Sequence, residues 1–172
     1  MFENPEIPLD ALPDVESPHW ESLHPRFVRC LQLQHLLIAL IPVVVAAIVT
    51  ALLYRFVFPI TLMWLIVLAV GTFVVAWPAI AVPRRGYVVR DKDIIFRSGV
   101  VFRSVTAIPY NRIQHVETSS TPFDRRFGVA SLQIFTAGGS GGDLKIGGLG
   151  RDVAEKLRVY ILDKAGASIE DA

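Results

Sequence analysis

The sequence predicts a membrane-anchored α+β protein, in which a transmembrane helical hairpin precedes an antiparallel β-domain that ends in one helix. Three observations predict this class. Two long apolar runs, 36–53 and 57–82, follow each other with almost no interruption. After them come short strands, of which the clearest alternates apolar and polar residues over 129–136. The apolar positions of the last segment then recur with helical spacing, which indicates an amphipathic helix.

The two apolar runs are long enough to cross a bilayer as helices. A spanning helix needs roughly 18 or more apolar residues, and in lipid every backbone amide must find its partner within the protein. A soluble helix would show a polar face, yet only Pro42 and Thr50 interrupt the first run, and no charge occurs over 60–82. A buried soluble hairpin therefore fits poorly. Aromatic residues near the ends of the runs are typical of interfacial belts: Tyr54, Phe56, Phe58 and Trp77.

The segment before the hairpin divides into two parts. Residues 1–22 are predicted to form a flexible tail, because acidic residues and prolines dominate them. They lack the basic start and short apolar run of a secretory signal. Residues 23–35 are predicted to form an interfacial helix that leads into the membrane, with Pro25 at its first position. We expect Arg26 and Arg29 of this helix to contact lipid headgroups.

Arginines lie close to the ends of both spans. Arg26 and Arg29 precede the first span and Arg84 and Arg85 follow the second, whereas the connection carries only Arg55. Basic residues near spans remain on the cytoplasmic side. The pattern predicts a multi-pass protein with both termini and the β-domain in the cytoplasm, and a membrane-surface contact at the four flanking arginines.

Residues 84–167 are predicted to form one small domain, followed by a tail at 168–172. Strands are predicted at 87–90, 94–97, 100–108, 113–118, 129–136 and 144–146. The glycines at 138–142 indicate a flexible turn, and those at 147–150 indicate a plain turn rather than a nucleotide loop. A helix is predicted from Arg151 to about Ala165, ended by Gly166. Its expected buried stripe is Val153, Leu157, Tyr160 and Ile161.

Several motifs resemble those of a known family. They are LHPR at 23–26, IPYNRIQHV at 108–116, RFGVASL at 126–132 and TAGG at 136–139. From about Trp20 onward the chain resembles the YdbS-like bacterial membrane proteins with a bacterial pleckstrin-homology (PH) domain. The resemblance implies a strongly bent antiparallel sheet or partial barrel capped by a C-terminal helix, in a bacterial inner membrane. It implies little chemistry, because the function of that family is unknown.

A PH-like fold suggests a phosphoinositide site at the first hairpin loop, and this sequence disfavours it. Lipid-binding PH domains collect several basic residues around that loop. Here Lys92 lies between Asp91 and Asp93, although Arg90 and Arg97 are on the flanking strands. The two carboxylates would repel an inositol phosphate, so no site is assigned there.

The stretch 123–127, predicted to form a loop, combines two aromatic residues with two arginines. We predict that Phe123, Arg125, Arg126 and Phe127 contact a partner or lipid headgroups, because such a pattern suits both. The alternative is that Phe127 packs under the sheet while Arg125 and Arg126 are solvated or pair with Asp124.

The sequence contains no recognisable catalytic, cofactor-binding or metal-binding motif. Neither nucleophile motifs nor metal-ligand spacings among the histidines occur, and no acidic residue, lysine or histidine lies within 36–82 to couple ions. We predict a non-enzymatic protein embedded in the lipid bilayer that scaffolds or recruits proteins, as a homo-oligomer or in a hetero-complex with a related PH-domain membrane protein. Sensing of anionic lipid or envelope stress through a basic face is the alternative. The net charge of +1 suggests no nucleic acid, and no small-molecule substrate is expected.

Overall fold

The computed structural model describes residues 18–52, 57–137 and 144–170. Most of the predicted tail, the connection between the two apolar runs and the predicted glycine turn at 138–142 lie outside these residues. The described elements follow one another in this order: β1 (Glu21–Ser22), α1 (Arg26–Leu52), α2 (Val57–Ala81), β2 (Gly86–Val89), β3 (Asp93–Ser98), β4 (Ser104–Pro109), β5 (Ile113–Ser119), α3 (Pro122–Phe127), β6 (Val129–Thr136), β7 (Leu144–Gly150) and α4 (Arg151–Glu170). The predicted class, a helical hairpin followed by antiparallel sheets and a C-terminal helix, is confirmed.

Helices α1 and α2 form the hairpin, and their polar atoms bond within the protein. Trp64 Nε1 donates a 2.9 Å hydrogen bond to Thr50 Oγ1, which itself donates to the carbonyl of Ala46 at 2.8 Å. Near the other end, His35 Nδ1 lies 3.1 Å from the carbonyl oxygen of Val74. These contacts leave the outer faces of the helices apolar, as lipid requires.

The outer faces of the hairpin expose large apolar side chains. Ile41, Leu65 and Phe73 are all more than half exposed, whereas a core hairpin of a soluble protein would bury them. Two segments, Arg26–Leu52 and Ile60–Arg84, are long and apolar enough to span a membrane. The exposure agrees with contact to lipid rather than to a protein core.

The domain consists of two antiparallel sheets, with strand orders β1-β2-β3-β4 and β5-β6-β7. Glu21 and Ser22, predicted to lie in the flexible tail, instead pair with Tyr87 and Gly86. That prediction was wrong for the end of the segment, because β2 offers it a free edge. Closure of the two sheets into a partial barrel stays a prediction.

Two predicted strand boundaries were wrong at glycines. Strand β4 begins at Ser104 rather than at residue 100, because the chain turns at Gly99, whose φ is +108°. Strand β7 continues through the glycines at 147–150, which were predicted to form a turn. Gly99 thus lies in a turn, whereas the glycines at 147–150 lie in a strand that is in close contact with Phe27.

Both sheets and α4 enclose one core. Strand β6 turns Ala130, Leu132 and Ile134 inward, as its alternation predicted. The buried residues of α4 are Ala154, Leu157, Ile161 and Ala165, whereas Val153 and Tyr160 of the expected stripe are partly exposed. Helix α4 also continues through Gly166 to Glu170, into the predicted tail, because an isolated glycine costs a helix only about 1 kcal/mol.

Candidate membrane-surface site

The first two turns of α1 belong to the core of the domain. Leu23, just before the helix, is buried together with Phe27 and Cys30 on its inner face. The backbone N–H of His24 donates a 2.8 Å hydrogen bond to the carbonyl of Gly148 in β7. Since α1 continues unbroken from these residues into the apolar run, the domain is joined directly to the span.

The joint depends on a glycine beneath an aromatic ring. Gly148 has a φ of +78°, a backbone conformation that disfavours other residues. A Cβ at this position would lie 2.2 Å from Cδ1 of Phe27. A glycine at this position therefore lets the Phe27 ring lie against the strand. Gly147 and Gly148 both lie against Phe27 and so allow α1 to pack closely on the domain.

The segment 23–35, predicted to form an interfacial helix, instead packs partly into the core of the domain. Its apolar residues Phe27 and Cys30 face the domain core instead of lipid, while Arg26 and Arg29 remain exposed. At a rise of 1.5 Å per residue, Arg29 lies about 10 Å along the helix from residue 36, where the predicted span begins. Headgroup contact by Arg26 and Arg29 stays a prediction.

Arg84 and Arg85 lie where the second span meets the domain. A 3-10 turn, Val82–Arg84, links α2 to β2. The guanidinium of exposed Arg84 donates from Nη1 to the carbonyl of Ile80 at 2.7 Å, which satisfies an acceptor at the helix end. The backbone N–H of Arg85 donates to the carbonyl of Val82 at 3.0 Å. Arg84 and Arg85 thus directly follow α2, and their contact with the membrane surface stays a prediction.

The stretch predicted as a contact loop is the short helix α3. Thr121 caps it, accepting a hydrogen bond from the N–H of Asp124 at 3.1 Å. Phe123 and Phe127 are partly buried and pack against the core. For Phe127 this agrees with the alternative prediction, in which its side chain packs under the sheet. The aromatic half of the predicted contact thus points inward, and a role for it in partner binding stays a prediction.

The basic half of the stretch is exposed. Arg125 donates from Nη1 to the carbonyl of Ser120 at 3.1 Å, and Arg126 is solvent-accessible. Neither pairs with Asp124, because that carboxylate turns inward to Thr121. Among the residues that the structure describes, α3 therefore presents two arginines with no acidic partner.

Asp124 also links α3 to the membrane helix. Its Oδ2 accepts bonds from the N–H of Thr121 at 2.9 Å and from Oγ1 of the same residue at 2.8 Å. Its Oδ1 faces Cys30 of α1, whose Sγ donates at 3.6 Å. The buried carboxylate thus holds α3 against the joint.

The first hairpin loop lacks the basic cluster of a phosphoinositide site. Lys92 and Arg97 lie at opposite ends of β3, separated by about 17 Å of strand. Asp91 accepts a 2.6 Å hydrogen bond from Nζ of Lys164 on α4, and this ammonium lowers the pKa of the Asp91 carboxyl. The loop thus ties α4 to the sheet.

The hairpin, the two sheets and the closing helix together define a membrane-anchored protein with a PH-like domain. Residues 31–165 match the bacterial PH domain family, and the chain belongs to this family. It is also similar to the UPF0699 transmembrane protein YdbS of Bacillus subtilis (strain 168). The two are 25% identical over 122 residues, which cover 67% of this chain and 76% of the relative. The predicted resemblance is confirmed, and no solved structure matches the chain.

Sequence reasoning missed the joint between α1 and the domain. Phe27 and Gly148 are far apart in sequence, and no local pattern connects them. The helix α3 had a detectable signal, since Thr121-Pro122-Phe123-Asp124 has the spacing of a capping box with proline at the first helical position. Six residues are too few for helical periodicity to appear.

Proposed function

We propose that this protein is a non-enzymatic anchor that presents its PH-like domain at the cytoplasmic face of a bacterial inner membrane and recruits proteins there. Its partner is a second copy of the chain or a related PH-domain membrane protein. The observation that carries the proposal is the joint, where Phe27 and Cys30 pack into the domain core. Simple tethering needs only a flexible linker. A fixed joint gives the domain one orientation toward neighbours in the same bilayer.

Two further features support recruitment. Arg125 and Arg126 are exposed on α3, which packs against the joint through Asp124. Neither has an acidic partner among the described residues, and exposed guanidinium groups suit acidic partner surfaces. Strands β4 and β5 each lie at an edge of their sheets in the described residues, and open edges favour pairing between chains. Both features act through binding alone, in line with a non-enzymatic role.

The test is crosslinking of the full-length protein in its membrane. We compare the wild type with the double variant Arg125→Glu/Arg126→Glu, and use Arg90→Glu/Arg112→Glu, which changes two exposed arginines away from α3, as the matched control. We expect a crosslinked dimer or hetero-complex in the wild type and the control, and its loss in the α3 variant. A wild-type protein that stays monomeric and crosslinks to no neighbour would contradict recruitment.

Sensing of anionic lipid or envelope stress is the second candidate function. The basic residues at the cytoplasmic end of the hairpin favour it, since each contributes about 1 kcal/mol of attraction near an anionic leaflet. These residues are Arg26, Arg29, Arg84 and Arg85. We expect hydrogen exchange of the domain to differ between nanodiscs of phosphatidylcholine and of phosphatidylglycerol. The difference should shrink with salt and after neutralisation of Arg84, Arg85, Arg125 and Arg126. Exchange that is independent of lipid composition would exclude this function.

A further inference from the structure

The loop between β3 and β4, residues 99–103, exposes apolar side chains on the domain. Phe102 is 90% exposed and its neighbour Val101 is 75% exposed. Val105, at the start of β4, is also largely exposed. A contiguous apolar patch of this kind marks an interaction surface or a membrane contact.

The loop lies at the end of the domain that meets the span. Strand β2 starts at Gly86, immediately after the turn that ends the second span, and Gly86 pairs with Arg97 near the end of β3. Strand β3 therefore returns the chain to the membrane exit. Residues 99–103 extend beyond this pair, and Gly99 and Arg103 share one cleft with Arg84.

That cleft has the chemistry of an anion site. Its volume is about 270 Å³, and its lining residues include three arginines and two serines: Arg84, Arg97, Arg103, Ser98 and Ser104. None of its lining residues is acidic. Three arginines around one cleft give it a positive potential that attracts an anion, and arginine matches phosphate with paired hydrogen bonds. The guanidinium of Arg84 keeps further donors beside the Nη1 that bonds to Ile80.

Arg97 of this cleft is held in a fixed position. Its Nε is buried and has no hydrogen-bond partner in the part of the chain that the structure describes. The guanidinium carbon lies 4.4 Å from the ring centroid of Trp20, so the side chain is held in place by stacking. The buried Nε lies beside Gly86, where an added Cβ would be 3.3 Å from it. Gly86 and Trp20 together fix the side chain of Arg97, a residue that lines the cleft.

The geometry of the loop is fixed. Gly99 has a φ of +108°, and a Cβ there would lie 1.7 Å from the carbonyl oxygen of Phe102. The tight turn keeps Val101 and Phe102 at the tip, next to the cleft. Apolar tips flanked by arginines are suited to the boundary between headgroups and acyl chains.

We propose that the tip of the β3–β4 loop inserts into the membrane and that the cleft of Arg84, Arg97 and Arg103 binds the phosphate of an anionic phospholipid. A lipid accounts for both halves of the surface, because free phosphate would leave Phe102 and Val101 in water. This site deepens the second candidate function and rests on the membrane position of the hairpin. It does not depend on recruitment, which involves α3.

The test uses the full-length protein in nanodiscs whose lipids carry a quencher in the acyl chain. After replacement of the single cysteine, Cys30, by alanine, a fluorophore is attached at Phe102→Cys or, as the control, at Lys92→Cys at the opposite end of β3. We expect several-fold stronger quenching at position 102 than at position 92. The difference should be larger in equal mixtures of phosphatidylglycerol and phosphatidylcholine than in phosphatidylcholine alone.

The phosphate site is tested with Arg84→Gln/Arg103→Gln in the Phe102→Cys background. We expect most of the extra quenching in anionic nanodiscs to disappear, while the matched control Arg90→Gln/Arg112→Gln retains it. Equal quenching at positions 102 and 92 would overturn insertion of the loop. The anionic-lipid site would be overturned by quenching at position 102 that is the same in both lipid compositions and in the Arg84→Gln/Arg103→Gln variant. It would also be overturned if inorganic phosphate reduced the quenching to the same extent in phosphatidylcholine nanodiscs as in anionic ones. The crosslinking result for α3 has no bearing on these outcomes.

Discussion

Individual side chains determine how firmly the span is joined to the domain. Phe27 lies against Gly148, while Cys30 is fully buried beside Asp124. Because these contacts connect α1, α3 and β7, a change at one of them affects all three elements. Cys30 is the only cysteine of the chain, and its accessibility to alkylation therefore reports opening of the joint.

Replacement of Gly148 by alanine should weaken the joint. The left-handed backbone and the clash with Phe27 together cost about 2–4 kcal/mol of unfolding free energy. Gly128 is the matched control, because its φ is also positive, at +70°, but nothing lies within 4 Å of an added Cβ. Gly128→Ala should cost only about 1–2 kcal/mol. The measurements are thermal unfolding in detergent and the alkylation rate of Cys30.

The comparison of these two glycine variants isolates the aromatic contact. We expect Cys30 to be alkylated faster in Gly148→Ala and at the wild-type rate in Gly128→Ala. Combining Phe27→Ala with Gly148→Ala should cost less than the sum of the single changes, since the clash is removed. Equal losses for the two glycine variants would contradict the packing described for the joint.

Removal of the Asp124 carboxylate should loosen α3. Asp124→Ala removes the reciprocal cap of the helix and the group facing Cys30, and should lower the unfolding free energy by about 1–2 kcal/mol. Asp124→Asn should cost less, because its amide oxygen still accepts from the N–H of Thr121. Hydrogen exchange of residues 121–127 measures the effect. Faster exchange in the asparagine variant than in the alanine variant would contradict this account.

At the scale of elements, local patterns were predictable and long-range contacts were not. Strand β6 was predicted with its observed bounds, because its alternation is a property of consecutive residues. The two spans were recognised by their apolar length alone. The partner of α1 in the core could not be predicted, since Phe27 looks like any apolar residue before a membrane span. The cleft was missed for the same reason: Arg84 and Arg97 meet only through the pairing of β2 with β3.

The hairpin contains a hydrogen bond between helices that can be tested alone. Thr50→Val keeps the shape of the side chain but removes the acceptor of Trp64 Nε1. We expect a loss of about 0.5–1 kcal/mol of unfolding free energy in bicelles, as is typical of such bonds in membranes. Thr72→Val, at an exposed threonine of α2, should change little. A larger loss at Thr72 than at Thr50 would contradict the assigned bond.

The contact between α4 and the first hairpin loop should depend on pH. Lys164 lowers the pKa of the Asp91 carboxyl, and Asp91 raises the pKa of the Lys164 ammonium. The contribution of Asp91 is therefore present above about pH 4, its unfolded range, and is lost as the pH falls through the lowered folded value. We expect weaker protection from hydrogen exchange near Lys164 in acid, measured relative to the intrinsic exchange rate at each pH. In Asp91→Asn, the amides near Lys164 should exchange faster than in the wild type already at neutral pH. Exchange at the wild-type rate in that variant would contradict the contact between Asp91 and Lys164.

For the whole molecule, the direct joint between α1 and the domain means that the side on which the domain lies follows from the insertion of the hairpin. Four arginines flank the hairpin at the domain end, whereas the connection carries one, Arg55. His35 and Val74 lie at one level of the hairpin, and Arg26 and Arg84 lie about 14–15 Å from it along their helices. Basic residues of both helices thus lie at the same end of the hairpin.

This arrangement predicts a cytoplasmic C-terminus. A fluorescent protein fused after Ala172 should fluoresce, and alkaline phosphatase at the same position should be inactive, because that enzyme requires the outer side of the membrane. The positive control is phosphatase fused after Leu52, which should be active. The variant Arg84→Gln/Arg85→Gln with lysines added next to Arg55 has fewer positive charges at the domain end of the hairpin and more at the connection. It should give a mixed population of membrane orientations. An active phosphatase after Ala172 in the unaltered chain would place the domain outside and would also remove the cytoplasmic leaflet as the source of lipid for the arginine cleft.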